Sequence, residues 1–505
     1  MRLNPLRSTG RSALAILAVT VAMLGGTGPV AGAAPEQSGE TLADTLVRKV
    51  SLDRVNRHLI AFQRFADRAG GTRAAYTGGY RDSLDYVADK LREAGFVVET
   101  PEFTFDRRVT DAASVVAGGT SIEPFPIIHT ISTPAGGVTG RLVHVPVDAN
   151  PGCDAADYAG LDLTGGIALI KRGGCTFTQK QALAADAGAL AAVIYNQLEG
   201  PPRGILAGGP TASRIPTGLV TMADGAALVA LAGTTTTVDI RTHIVPTVSH
   251  NLIAQTRTGR ADNVVLAGAQ LDSEDDVPGI NDNATGAAAL LEVALKLGGS
   301  PRTSNAVRFA FWGAEWTQSG SRAYLDSLDF EAKLDISMYL HFDMLGSLNA
   351  GHFVYDGDDS DRVAPGPRPY GCAQIEKTFL DFYSARGIPT EGTNYDANTD
   401  HPGFVAVGIP TGGIYGGSFT YKSATQAAKW GGQAGAAFDP NHQTSKDNLG
   451  NVNPAFLDRN ADAIAYAIGN YATSTEDVNG VPPRAQRAAA QRMAKSATQE
   501  IAPAM

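Results

Sequence analysis

Several familiar catalytic signatures are missing from this chain: it has no Gly-x-Ser-x-Gly elbow, no His-Glu-x-x-His helix and no phosphate-binding Gly-rich loop. Serine-elbow hydrolases, single-helix zinc proteases and P-loop enzymes are thereby set aside. Basic residues are outnumbered, 41 Lys and Arg against 51 Asp and Glu for a net charge of −10, so no basic surface for nucleic acid is expected. The one long apolar run, Ser12–Leu24, is 13 residues, short of the ~20 that a membrane-spanning helix needs. Charged residues make up only 18% of the chain and apolar ones 43%, which excludes a coiled coil or a mostly disordered chain and leaves material for a sizeable core.

What the apolar run does fit is an export signal. Arg2, Arg7 and Arg11 precede it, Gly25-Gly-Thr-Gly-Pro29 breaks it, and Ala31-Gly-Ala33 is a small-residue cleavage site. Residues 1–33 therefore read as a signal peptide, and the mature protein as secreted and extracellular, without a membrane anchor. Three cysteines remain. In an oxidising compartment Cys153 and Cys175, the closest pair, are expected to form a disulfide. Cys372 is then left over and is expected as a half-exposed thiol in a loop.

Periodicity predicts helices over Thr41–Asp67, Arg81–Ala94, Gln179–Gly188 and Thr285–Leu297. It predicts strands at Phe96–Val98, Gly140–Val147, Gly166–Lys171, Ala191–Asn196, Thr217–Thr221, Asn263–Ala269, Ala306–Trp312 and Leu334–Phe342. The fold class is α/β, a central mixed, mostly parallel sheet flanked by helices, with a small β-rich inserted domain. Residues 34–114 and 244–473 form the main domain, 115–243 the insert and 474–505 a low-complexity tail.

Within the insert, Gly166-Ile-Ala-Leu-Ile-Lys-Arg-Gly-Gly-Cys-Thr-Phe-Thr-Gln-Lys180, Ala191-Ala-Val-Ile-Tyr-Asn196 and Ile215-Pro-Thr217 resemble the protease-associated domain found in secreted peptidases. That resemblance implies a module without chemistry of its own, able to gate substrate or hold a protein ligand.

Acids and two imidazoles recur in four strand-end clusters and a fifth further on. They lie in Gly268-Ala-Gln-Leu-Asp-Ser273, Gly279-Ile-Asn-Asp-Asn-Ala-Thr-Gly286, Phe311-Trp-Gly-Ala-Glu-Trp316, His341-Phe-Asp-Met-Leu-Gly-Ser347 and Asp439-Pro-Asn-His-Gln-Thr-Ser-Lys-Asp447. Singly, each acid reads as a helix or turn cap. In this order they resemble the secreted double-zinc aminopeptidases, a zinc-exopeptidase family that includes bacterial leucyl aminopeptidases, glutamate carboxypeptidase and the transferrin receptor. The family reaction is removal of N-terminal amino acids from peptides. Two zinc ions roughly 3.5–4 Å apart share a carboxylate and activate a water.

Carried over residue by residue, the resemblance implies Asp282 as the bridging carboxylate, Glu315 as the general base, and Asp343 and His442 as metal ligands. Asp272 would orient a metal-bound imidazole. Two ligand positions have changed: Gln270 stands where the family has His, and Trp316 where it has Glu. A neutral amide oxygen is a weak zinc ligand and an indole is none. Each ion thus loses one donor.

The cofactor expectation is zinc in the family and, in this chain, a reduced set: one metal ion or none. One reading is an exported family member, weakly active or inactive, that uses the old cleft and the insert for binding. The other is a metalloexopeptidase with a rebuilt or single-metal site that acts on peptide or protein N-termini. For a rebuilt site His341 and the run Glu274-Asp-Asp276 are at hand, although a packed histidine and a solvated acidic loop are the expectations for them. Asp400-His401 resembles a family loop near the substrate pocket. There Asn398 replaces an Arg. Thr420–Gly431 resembles a pocket wall.

Overall fold

Two eight-stranded mixed sheets organise the chain in a computed structural model that describes residues 40–197, 200, 202–363, 366–395, 399–480 and 492. The signal segment 1–33, Asn398 and nearly all of the tail after residue 480 lie outside the described residues.

The first sheet runs in the order Val97–Glu99, Leu252–Gln255, Asn305–Trp312, Arg260–Gln270, Ile336–Asp343, Thr411–Tyr415, Phe353–Tyr355, Glu391–Thr393. Its four central neighbours, from Asn305–Trp312 to Thr411–Tyr415, are mutually parallel. Their sequences are nearly unbroken apolar runs because both faces are covered: Val265, Leu266, Phe309, Phe311, Tyr339 and Leu340 are all fully buried. Parallel strands place all their carboxyl ends on one edge, so Gln270, Trp312, Asp343 and Tyr415 finish side by side.

Helix Thr285–Leu297 begins directly after Asp282-Asn283-Ala284. It is rich in alanine because it is buried nearly all round, packed against the sheet and against helices Leu52–Arg68 and Pro454–Thr473. The helix expected over Thr41–Asp67 is two, Leu42–Lys49 and Leu52–Arg68. Val50 turns extended to bury its side chain, and Ser51 starts the second helix.

The second sheet is fed by a ribbon of two long antiparallel strands, Glu102–Ala117 and Thr235–His250, so its first and last strands reach beyond 115–243. Behind the ribbon, Val138–His144, Ile167–Lys171, Ala191–Tyr195 and Thr217–Val220 are parallel. Helices Phe177–Asp186 and Met222–Ala230 cover them. Cys153 and Cys175 are disulfide-bonded as expected.

Cys372 corrects an expectation. It is fully buried at the start of helix Cys372–Ser384. Burial pushes its thiol pKa up to about 11, so it is an apolar packing element. Residues 474–480 also take defined structure: a short helix, Glu476–Asn479, buries Val478, and Asn479 donates to Asn263. No helix among the described residues is long and apolar enough to cross a membrane.

Candidate active site

Around the strand ends lies a cleft of about 820 Å³. Gln270, Asp282, Glu315, Asp343 and His442 line its floor, Trp316 and Phe419–Tyr421 its sides, and Ile128, Arg172, Phe177 and Arg203 of the insert its far wall. All the expected ligand and base positions therefore meet in one space.

Asp282 is held from behind. Its backbone N–H donates to Asp447 Oδ2 at 3.0 Å, and that of Asn281 to Asp447 Oδ1 at 2.7 Å. Asn281 Nδ2 reaches Asp439 at 2.6 Å, and Asn451 ties Asp439 to Asp447. Asn283 fastens the same turn to the neighbouring strand. Its Nδ2 donates to the Phe342 carbonyl at 2.8 Å, while its Oδ1 accepts from the N–H groups of Met344 and Gly286 at 3.0 Å each. Asp282 and Asp343 thus gain a fixed relation. A side chain on Gly286 would meet Asn283 Oδ1 and the Phe342 carbonyl at 2.5 Å, so only glycine fits there.

The front of Asp282 is engaged by protein groups. Gln270 donates its amide Nε2 to Oδ1 at 3.1 Å, and His442 Nε2 lies 3.1 Å from Oδ2. Burial disfavours a charged His442, yet Asp282, with Asp439 and Asp447 behind it, outweighs that and raises its pKa. Asp343 is pushed up to about 7, first by burial and then by Asp282. Its Oδ1 is buried without a hydrogen-bond partner among the described residues. Glu315 is buried and accepts from the Ser321 hydroxyl at 2.7 Å. Burial, then the charges of Asp400 and Asp272, raise its pKa well above the carboxylate range. Trp316 sits on the cleft wall with 41% of its surface exposed.

Asp272 has no imidazole to orient. Its Oδ1 accepts the Glu315 N–H at 3.4 Å, and burial lifts its pKa to about 7. The group answering these acids is Arg73, fully buried, which donates to the carbonyls of Leu271, Pro278 (3.0 Å) and Gly279 (2.6 Å). Sequence reading missed Arg73, since a lone Arg in Gly-Gly-Thr-Arg carries no motif. The solvated-loop expectation fails at Glu274, which lines the cleft with Oε1 enclosed, because the Arg73-clamped loop turns it inward; burial lifts its pKa to about 8. Asp275 and Asp276 are exposed as expected. His341 is packed, its Nδ1 2.7 Å from Asp400 Oδ1, with Tyr339 donating to the other oxygen at 2.5 Å.

These residues do not fit a pair of zinc ions. The shared carboxylate faces an N–H donor where an imidazole is needed, and Trp316 brings no donor atom. Of the family's five ligand positions, Asp282, Asp343 and His442 keep a donor, and Gln270 offers an amide oxygen.

Residues 251–468 match the model of peptidase family M28, and residues 138–228 that of the PA domain. The chain is 43% identical over 449 residues to a probable lipoprotein aminopeptidase, LpqL, of Mycobacterium tuberculosis, spanning 88% of this chain and 90% of that one. It is 36% identical over 482 residues to an aminopeptidase of Pseudomonas aeruginosa, with 90% and 88% covered. Among solved structures, a zinc aminopeptidase from Bacillus subtilis shares the fold at a TM-score of 0.65 and 21% identity, with 84% of this chain and 98% of that one covered. On this similarity, spread over both the strand-end site and the insert, the chain belongs to peptidase family M28, with an inserted PA domain.

Proposed function

We propose that this protein is an exported binder of peptide amino-termini, built on the aminopeptidase scaffold and depleted of the two-metal centre that drives the family reaction. The observation that carries the reading is the Gln270–Asp282–His442 chain of contacts, which uses both oxygens of the would-be bridging carboxylate. Without a metal ion nothing brings the pKa of water toward neutrality, and burial raises the Glu315 pKa well above the carboxylate range. Binding survives this loss. Asp343 Oδ1 and Glu274 Oε1, buried without hydrogen-bond partners among the described residues, offer oxygen acceptors to a terminal ammonium, and the insert's Arg172 and Arg203 line the same cleft. Export rests on the signal-like residues 1–33 and on the lipoprotein character named for the mycobacterial relative.

A second reading, a single-metal exopeptidase, draws on the unpartnered Asp343 Oδ1 and on the retention of Glu315. Metal analysis of the mature protein, together with hydrolysis of chromogenic aminoacyl substrates with and without added Zn²⁺, separates the two. The binding reading expects less than one zinc per chain and negligible turnover. Two tightly held zinc ions with robust hydrolysis would falsify it.

A further inference from the structure

A separate group of carboxylates lies where strand Phe353–Tyr355 runs into Asp356-Gly-Asp-Asp-Ser-Asp361. Asp356 has no solvent exposure, and neither carboxylate oxygen has a hydrogen-bond partner among the described residues. Asp356, Asp358 and Glu376 each place one oxygen within 4.8 Å of the others. Glu376 reaches the loop from helix Cys372–Ser384, and its Oε2 accepts the N–H groups of Gly357 at 2.8 Å and Asp358 at 3.2 Å. That fixes one carboxylate against the other two.

A buried carboxylate without a partner is costly, and a second and third beside it add repulsion. Arg368 lies 4.0 Å from Asp359 and over the Tyr395 ring, and its charge favours an ionised Asp358. Burial, then Asp358 and Asp356, push Glu376 up to about 7.

The geometry points to a calcium site formed by Asp356, Asp358 and Glu376, completed by backbone carbonyls or water. An all-oxygen carboxylate set on an irregular loop suits Ca²⁺, which takes 6–8 oxygens at ~2.3–2.6 Å in flexible geometry. Zinc favours nitrogen and sulfur, and Mg²⁺ demands a near-ideal octahedron. Asp358 is exposed and gives the ion an entry route. The bound ion fastens the back of the cleft: Asp356 N–H donates to Thr393 at 2.9 Å, Gly392 N–H to Asp361 at 2.5 Å, and Tyr355 and Thr393 both line the cleft. This inference does not depend on how the depleted zinc centre is read.

The test uses the whole mature protein, stripped with chelator and titrated with CaCl2 by calorimetry and thermal melting, and with Tb³⁺ by tyrosine-sensitised luminescence. The expected result is one Ca²⁺ per chain, a melting temperature raised by on the order of 5 °C at saturation, and Tb³⁺ emission that Ca²⁺ quenches. Asp356→Asn and Glu376→Gln, each removing a buried charge and so still folding, lose all three responses. Asp282→Asn with Asp343→Asn retains them, which keeps this site distinct from the cleft. A folded wild-type protein that binds no Ca²⁺ at millimolar concentration overturns the proposal. So does Ca²⁺ binding that survives Asp356→Asn, or is lost in the cleft double variant.

Discussion

Gln270 donates its amide to Asp282 Oδ1 at 3.1 Å, closing the position from which an imidazole would hold a metal. With His442 Nε2 at 3.1 Å from Oδ2, Asp282 has a protein group on each oxygen. This arrangement sets a prediction. Gln270→His with Trp316→Glu returns one donor to each ion, while Asp282, Asp343, His442 and Glu315 stay in place. Zinc content measured by atomic absorption is expected to rise to about two per chain, with aminoacyl hydrolysis at least ~10-fold above the wild type. A folded double variant with no gain in zinc would point to wider decay of the site than these two positions.

Arg73 is expected to be a keystone of the fold. Its guanidinium satisfies three carbonyls of the 271–279 loop and faces Asp272, Asp282 and Asp447. Arg73→Met leaves those carbonyls and acids without their buried cation. Each buried carbonyl left unpaired costs about 1–3 kcal/mol, read as a lower midpoint in urea, with early proteolysis within 271–279.

How much of this was legible beforehand depended on whether the signal was local. The strand-end clusters announced themselves because catalytic acids in an α/β sheet must sit where parallel strands finish, and Asp282, Glu315, Asp343 and His442 do line one cleft. The disulfide was legible from proximity in the chain. Arg73 was not, because its partners lie some 200 residues away and only folding brings them together. Nor were the burial of Cys372 and the inward turn of Glu274, both set by packing rather than by neighbouring sequence. The long ribbon strands were missed because most of their residues are exposed or half-buried, so no sustained apolar run marks them.

Acid is expected to stabilise the metal-free protein. Asp272, Asp343 and Asp447 have pKa values near 7 in the fold, against a usual 3.8, mainly through burial. Between about pH 4 and 7 the fold therefore keeps protons that the unfolded chain has already released, and stability falls as pH rises through that window. The raised His442 acts in the same sense: its contribution is fully present below the unfolded histidine pKa of ~6.5 and is lost as pH climbs through the folded value. Chelator-treated protein should melt at a higher temperature near pH 5.5 than near pH 8. The opposite order would mean that these carboxylates release their protons in the fold no later than in the unfolded chain.

Gly286 and Gly78 both sit in the first turn or so of a helix, and they should respond oppositely to alanine. At Gly78 an added methyl meets nothing within 4 Å, so Gly78→Ala is expected to stabilise by ~0.4–1 kcal/mol through the unfolded state. At Gly286 the same methyl runs into Asn283 Oδ1 and the Phe342 carbonyl, the groups that lock the Asp282 turn to the Asp343 strand. Neither can retreat without losing a hydrogen bond, so Gly286→Ala is expected to cost ~1–3 kcal/mol in denaturant unfolding. It should also weaken binding of a peptide amino-terminus, measured by calorimetry, because Asp282 and Asp343 lose their fixed spacing. Equal effects of the two substitutions would show that the Asn283 lock does not set the shape of the cleft floor.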